Sequence, residues 1–395
     1  MIPPDPSPSY TRAPRRLLGG SRPRTAPVAY RGAVPVREQE LSGAPADDGT
    51  TSARPAWIGI GGAWLVSRVL SVVTLLVAVQ DPGRGSRFDQ LATKWDGAFY
   101  LEIARSGYGP VDVPFPRWPF FPGLPGALRL LGELGDDRAL LFVGNQLVFL
   151  AALVGLYQLA RRHGGHRVAM LAVWALALFP ASFVFSMTYP SAIFLAASVW
   201  GFLLVERRTV GGDVGAGLLA AVAASVRPNG LVVAAALVVA VWWSWRRVCC
   251  VAGPALLLVA AWCWYCYDRT GDALVFLTTK SRWQEITFVG LFEGHVKWSI
   301  VPHVLLAVAA IVIVVVQWRR LPLSWLVLVG LSLVPSLQLG MVGVGRYANE
   351  CFPPFVAAGQ VLERWRTRNV IAVYCLSALG LVAFAFVSGR YELVP

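Results

Sequence analysis

Residues 57–79 read WIGIGGAWLVSRVLSVVTLLVAV. A single charged side chain, Arg68, interrupts an apolar run long enough to cross a hydrocarbon core about 30 Å thick. Hydrocarbon offers the backbone no hydrogen-bond partners, so such a run has to be a helix. Arg68 falls near mid-membrane with no carboxylate at a matching depth, so it must face other helices or a wet cavity. Asn145 and Gln146 are its candidate neighbours, and a structural role is the simpler reading.

Similar runs recur downstream, at about 138–160, 166–187, 190–206, 212–226, 229–245, 247–267, 299–317, 322–342, 347–362 and 369–388. With the first, they predict about eleven transmembrane helices, an all-α integral membrane protein. Composition agrees: 56% of the 395 residues are hydrophobic and 14% charged, too apolar for a soluble domain of this length. Residues 1–56 differ in kind. They hold ten of the 27 prolines and no apolar run, a composition that cannot build a core and predicts a disordered Pro/Arg-rich tail ahead of a membrane domain at 57–390. The tail lacks a secretory signal's apolar region, so 57–79 is expected to be both targeting signal and first span.

The formal net charge of +13 is distributed as the topology bias of membrane loops requires. With the tail in the cytoplasm, the basic groups Arg161, Arg162 and Arg167; Arg207 and Arg208; Arg246 and Arg247; Arg319 and Arg320; and Arg364, Arg366 and Arg368 all fall in short cytoplasmic turns. Reading 119–131 as a further full span would reverse this pattern, so that stretch is expected to be a short helix at the outer interface. No interleaving of aromatic and basic residues points to nucleic acid. Two long segments remain outside, about 80–137 and 268–298, and long loops on an otherwise terse bundle are where function is sought.

The first of these loops contains Lys94-Trp95-Asp96-Gly97-Ala98-Phe99-Tyr100-Leu101, then Gly107-Tyr108, then Phe120-Phe121-Pro122-Gly123-Leu124-Pro125. Asp96 fits the N-cap of an amphipathic helix ending near Ser106, with Gly107 as its stop and Trp95, Phe99, Tyr100 and Ile103 as an apolar stripe on the membrane surface. A carboxylate at a membrane interface is equally suited to serve as a general base. Trp95, Tyr100 and Tyr108 are placed to stack on a sugar face or to form an interfacial aromatic belt. Further polar residues fall at outer helix ends: Tyr189, the turn Arg227-Pro228-Asn229-Gly230, and Arg346-Tyr347. Arginine at the head of an apolar hairpin is costly unless it meets a carboxylate, a headgroup or a phosphate. Arg227 and Arg346, joined by Lys280 and Arg282, form a candidate phosphate-binding set, since guanidinium forks hold phosphate oxygens bidentately.

Other chemistry finds little support. Cys263 and Cys266 lie inside an apolar run and read as packing. His163 and His166 have ligand-like spacing but no carboxylate or thiol beside them in their turn, so no metal is expected there. The first outer loop has no close Asp-x-Asp pair, so no divalent metal or other cofactor is expected at the site. No phosphate-binding glycine loop or nucleophile elbow is present for a soluble nucleotide donor.

The ordered set Trp95-Asp96-Gly97, Phe99-Tyr100-Leu101, Gly107-Tyr108, Phe120-Phe121-Pro122-Gly123, Phe179-Pro180, Tyr189, Arg227 with Asn229-Gly230, and Arg346-Tyr347 with Phe352-Pro353 resembles the mannosyltransferase family that includes the second mannosyltransferase of GPI-anchor synthesis, in its bacterial branch. The resemblance implies a GT-C-type bundle and an inverting transfer of mannose from a polyprenyl-phosphate carrier. It implies that Asp96 is the acidic residue of the first outer loop, and it adds Tyr189, Asn229 and Tyr347 to the substrate-binding set. Where the family has a Tyr followed by a small hydroxyl residue and Glu, this chain has Tyr189-Pro190-Ser191-Ala192, without the Glu. The rival class is a transporter or lipid flippase with an outward basic cavity. Such proteins often carry two matching halves, and no internal repeat is visible here. Expected partners are membrane lipid, the polyprenyl-phosphate-mannose donor, and a glycolipid, glycan or protein acceptor at the plasma membrane of a high-GC bacterium.

Overall fold

The computed structural model describes residues 53–79, 85–280, 300–339 and 344–390, and among these every regular element is helical. The tail up to residue 52, Arg282 and most of the second outer loop lie outside the described residues. The first helix, α1 (Ala53–Ala78), shows how the bundle is assembled. Ala63, Ser67, Ser71 and Leu75 recur every four residues and are fully buried, whereas Leu65, Val69 and Val73 are exposed. Three small residues and Leu75 pack on protein while the opposite face is apolar and exposed, the pattern expected where close packing rather than water drives association.

Three short helices follow α1: α2 (Arg87–Ala92), α3 (Asp96–Ser106) and α4 (Gly123–Gly132). The Ser86 hydroxyl caps α2 by accepting from the Asp89 N–H. Gly107, at φ 76°, ends α3 and donates its N–H to the Ile103 carbonyl at 2.8 Å, as its position in the sequence predicted. The aromatic stripe of α3 is covered by protein. Tyr100, Leu101 and Ala104 pack with Leu124 and Leu128 of α4 and with Leu141, while Ile103 joins Tyr108, Trp118, Phe121 and Trp262. The short helix expected within 119–131 is therefore present as α4, seated on α3.

The long helix α5 (Asp137–Ala177) starts on the Asp136 carboxylate and turns at Gly165, φ 78°, so the two runs at 138–160 and 166–187 meet there. The second does not continue to residue 187. Pro180 lacks the N–H that a helix needs and holds Phe179 in an extended conformation, and 180–186 winds as a 3₁₀ helix instead. Next come α6 (Ser191–Val205), bent by 102° from that 3₁₀ piece, α7 (Val210–Val226), α8 (Gly230–Val241), α9 (Trp245–Thr270) and the single turn α10 (Val275–Thr278). The chain closes with α11 (Val301–Gln317), α12 (Leu323–Leu339), α13 (Val344–Glu350), α14 (Pro353–Leu362) and α15 (Thr367–Gly389). The run expected as one span at 347–362 is broken because Pro353 and Pro354 cannot donate to the carbonyls one turn back, and the two prolines open a new helix.

Among the described residues, α1, α5, α9, α11 with its 3₁₀ extension, and α15 are long and apolar enough to cross a membrane, and the bent 3₁₀–α6 pair makes a sixth. Helices α7, α8 and residues 323–333 of α12 are apolar but shorter, so the eleven expected runs do not all become helices of crossing length. The chain is a membrane protein by these helices.

Candidate active site

Helices α6 and α7 run in opposite directions, and each has one polar end beside Ser191 and Arg227 and another beside Glu206 and Asp213. The fifteen residues of α6 separate the two ends by about 22 Å. Asp96, Tyr189, Ser191, Arg227, Arg346, Tyr347 and Glu350 converge at the first end, drawn from four distant parts of the chain.

The contacts form a chain of charges. Arg346 Nη1 donates to Asp96 Oδ2 at 3.2 Å, and its guanidinium lies 4.8 Å from the centre of the Tyr189 ring. Arg227 donates through Nη1 to Glu350 Oε2 at 2.7 Å and through Nη2 to Ser191 Oγ at 3.2 Å. The Tyr347 ring lies between the two guanidiniums, 5.6 Å from Arg227 and 5.5 Å from Arg346. The Asp96 backbone N–H donates to the Tyr189 hydroxyl at 3.3 Å. Tyr100 feels Arg227, Asp96 and Arg346 electrostatically. Its burial holds the phenol well above its ordinary pKa, so it stays neutral. Side-chain exposure decides which group can meet a substrate: 28% for Asp96, against 11% for Arg346, 8% for Arg227 and 2% for Glu350. Arg346 Nε and Glu350 Oε1 are buried without a hydrogen-bond partner, so the set holds unused donor and acceptor capacity.

Asp96 is not the cap of its helix. Trp95 occupies that position without a side-chain cap bond, and Asp96 is the first helical residue, its carboxylate turned to Arg346. The chain enters α3 through a tight turn, with Trp95 at φ 51°, ψ −128°, closed by the Gly97 N–H on the Lys94 carbonyl at 3.0 Å. A Cβ on Gly97 would lie 2.5 Å from the Ala92 carbonyl oxygen and 3.1 Å from Thr188, so only glycine fits beneath the segment that leads to Tyr189.

The remaining sequence candidates separate. Trp95 is half-buried, packs on the main core and donates its indole N–H to the Ser388 carbonyl at 3.1 Å. Asn229 is half-buried at the start of α8, two residues after Arg227. Tyr108 lies beyond the far end of α3, stacked on Trp118 at 4.9 Å, and the eleven residues of α3 put about 16 Å between its two ends. Lys280 is exposed at the edge of the described loop. Sequence reasoning missed Glu350. Its signal is a lone acid one helical turn after Arg346 in an otherwise apolar stretch.

Arg68 supports the site from below. It donates to Ser186 Oγ at 2.8 Å, to the Ser182 carbonyl at 3.0 Å and to Ser182 Oγ at 3.1 Å, and its guanidinium lies 4.4 Å from the centre of the Phe149 ring. Gln146 reaches it only through Ser186, and Asn145 Nδ2 instead donates to the Met187 and Tyr189 carbonyls at 2.8 and 3.3 Å. All three residues fix the segment that presents Tyr189. At the opposite end His163 pairs with Glu206 and His166 with Tyr157, so the two histidines have separate partners.

Comparison with protein-family models and with curated proteins gives no match. Among solved structures the chain is similar to ArnT from Cupriavidus metallidurans, solved with undecaprenyl phosphate bound, with a TM-score of 0.51 and 14% identity over 87% of this chain and 77% of that one. It is also similar to the Archaeoglobus fulgidus oligosaccharyltransferase, solved with zinc and sulfate, with a TM-score of 0.50 and 13% identity over 85% of this chain. It spans about half the length of that second protein, 53%. The likeness is one of fold: this chain shares the helical membrane architecture of these two proteins.

Proposed function

We propose that this chain is a multi-pass glycosyltransferase that moves a mannosyl unit from a polyprenyl-phosphate carrier to a hydroxyl acceptor on the extracytoplasmic face, as the bacterial branch of the GPI mannosyltransferase 2-like family does. The carrying observation is the partly exposed Asp96 beside two buried arginines, at the end of the bundle away from the basic turns. Basic turns favour the cytoplasmic side, and this bias supports a site outside and an N-terminus inside.

In the proposed reaction, Asp96 takes the acceptor's hydroxyl proton as that oxygen attacks the anomeric carbon. The bond from that carbon to the phosphate oxygen breaks, and the anomeric configuration inverts in one displacement. Polyprenyl phosphate leaves with one more negative charge than it had as a diester. Arg346 and Arg227 meet that charge, an interaction stronger in the transition state than in the ground state. Arginine then supplies the leaving-group stabilisation, and we propose that no divalent metal is needed. Turnover in excess EDTA should equal turnover without it, and rescue of a lost activity by Mn²⁺ or Mg²⁺ would refute that part.

The deciding experiment incubates purified protein with labelled polyprenyl-phosphate-mannose and a total lipid extract of its host. A labelled mannosylated product is expected. Movement of the labelled lipid across a vesicle membrane with no such product would favour a carrier instead.

A further inference from the structure

Trp95 occupies a backbone conformation that L-residues with large side chains avoid. Its φ of 51° and ψ of −128°, with the Gly97 N–H on the Lys94 carbonyl at 3.0 Å, are those of the first central position of a type II′ turn, where glycine is the usual residue. Strain of this kind persists only where the surroundings over-determine it.

Here the surroundings can be named. The indole Nε1–H donates to the Ser388 carbonyl at 3.1 Å, a contact between residues 293 positions apart, and the ring packs on the main core. The acceptor end is itself fixed. A Cβ on Gly389 would lie 2.4 Å from the Ala78 Cβ, so the end of α15 is pressed directly against the end of α1. The residue after Trp95 is Asp96, whose N–H meets the Tyr189 hydroxyl and whose carboxylate meets Arg346. A glycine at 95 would adopt the turn without strain but would have no side chain to tie it to α15. A tryptophan supplies that tie at the cost of the strain.

We propose that Trp95 is a positioning residue: its indole, anchored on the α15 terminus, holds the strained turn that aims the Asp96 carboxylate. This rests on the reading of Asp96 as the base. It assigns Trp95 a role different from stacking on a sugar, because the indole edge and much of the ring are engaged with the protein.

The test uses the full-length protein with Trp95→Phe, which keeps an aromatic ring and loses the indole N–H, and Trp95→Gly, which suits the turn and loses the anchor. Two readouts are taken. The first is the rate at which a water-soluble carbodiimide labels Asp96, followed by peptide mass spectrometry with no substrate present. Both variants are expected to label several-fold faster or slower than wild type, because the contact with Arg346 is no longer held. The second is mannosyl transfer, where kcat should fall by about 10-fold to 100-fold with KM for polyprenyl-phosphate-mannose little changed, as small misplacements of a reacting group do. Gly389→Ala, which touches neither Asp96 nor the proposed donor site, should shift both readouts in the same direction. Unchanged labelling in Trp95→Phe and Trp95→Gly would overturn the positioning role. A raised KM with unchanged kcat would also overturn it, in favour of sugar stacking. Altered labelling in a protein whose wild type transfers no mannose would sink the proposed reaction and leave the positioning role standing.

Discussion

The bundle has ion pairs at both of its ends, and the two ends are built differently. Arg247 and Asp213 form a closed fork at the end with the basic turns: Nε to Oδ2 at 2.8 Å, Nη2 to Oδ1 at 2.7 Å, and Nη2 also to the Val205 carbonyl at 2.8 Å. That pair ties the start of α7 to the start of α9 and satisfies itself. At the other end, Arg227 with Glu350 and Arg346 with Asp96 join residues 123 and 250 positions apart, and leave Arg346 Nε and Glu350 Oε1 unmatched. Removing charge from water costs several kcal/mol per ion, and the attraction within the pair offsets this only when every lone pair and proton is used. A set with capacity to spare is poorly optimised for stability and well suited to receive a charged ligand.

Four substitutions sharpen that contrast, in order of expected effect. Arg227→Ala leaves Glu350 buried and uncompensated and should destabilise the protein by about 3–5 kcal/mol. Thermal unfolding in detergent reads the loss, and adding Glu350→Gln should restore part of it. Arg247→Ala should also lower thermal stability, yet turnover per folded molecule should stay at the wild-type level. A fall in that turnover would break the division between the two ends. Arg346→Ala removes a charge-assisted contact worth about 1.5–3 kcal/mol, so binding of polyprenyl phosphate should weaken by about 10-fold to 100-fold, measurable by titration of the purified protein. Glu206→Gln disrupts the partly exposed pairs with Arg162 and His163 and should change stability by no more than about 1 kcal/mol, with activity unaltered.

Much of this contrast was legible in the sequence. The apolar runs gave the membrane class, the clustered arginines of the short turns gave the two ends, and Gly107 marked the end of α3 because a positive φ there suits glycine. Arg227 and Arg346 were legible as paired residues because an apolar hairpin tolerates arginine only beside a counter-charge, and Glu350 and Asp96 supply it. The breaks at Pro180 and Pro353 were blurred because hydropathy continues through them while the backbone hydrogen bonds do not. Glu350 escaped because its partner, Arg227, lies 123 residues away, a pairing that local spacing cannot report. Asp96 looked like a cap because aspartate before an apolar periodic stretch usually is one. The displacement by one residue comes from the turn at Trp95, whose positive φ no tryptophan announces. Tyr108 was grouped with Asp96 because both lie in one loop, and α3 holds them apart.

The central claim is that Asp96 is the group that takes the acceptor's proton, and one comparison tests it directly. Wild type and Asp96→Asn are assayed side by side for transfer from labelled polyprenyl-phosphate-mannose, with thermal stability and binding of polyprenyl phosphate measured on the same preparations. Asparagine keeps the size of the side chain and can still hydrogen-bond, so stability and phosphate binding should be little changed while turnover falls by about 10²-fold or more. A stable Asp96→Asn protein with wild-type turnover would contradict the account.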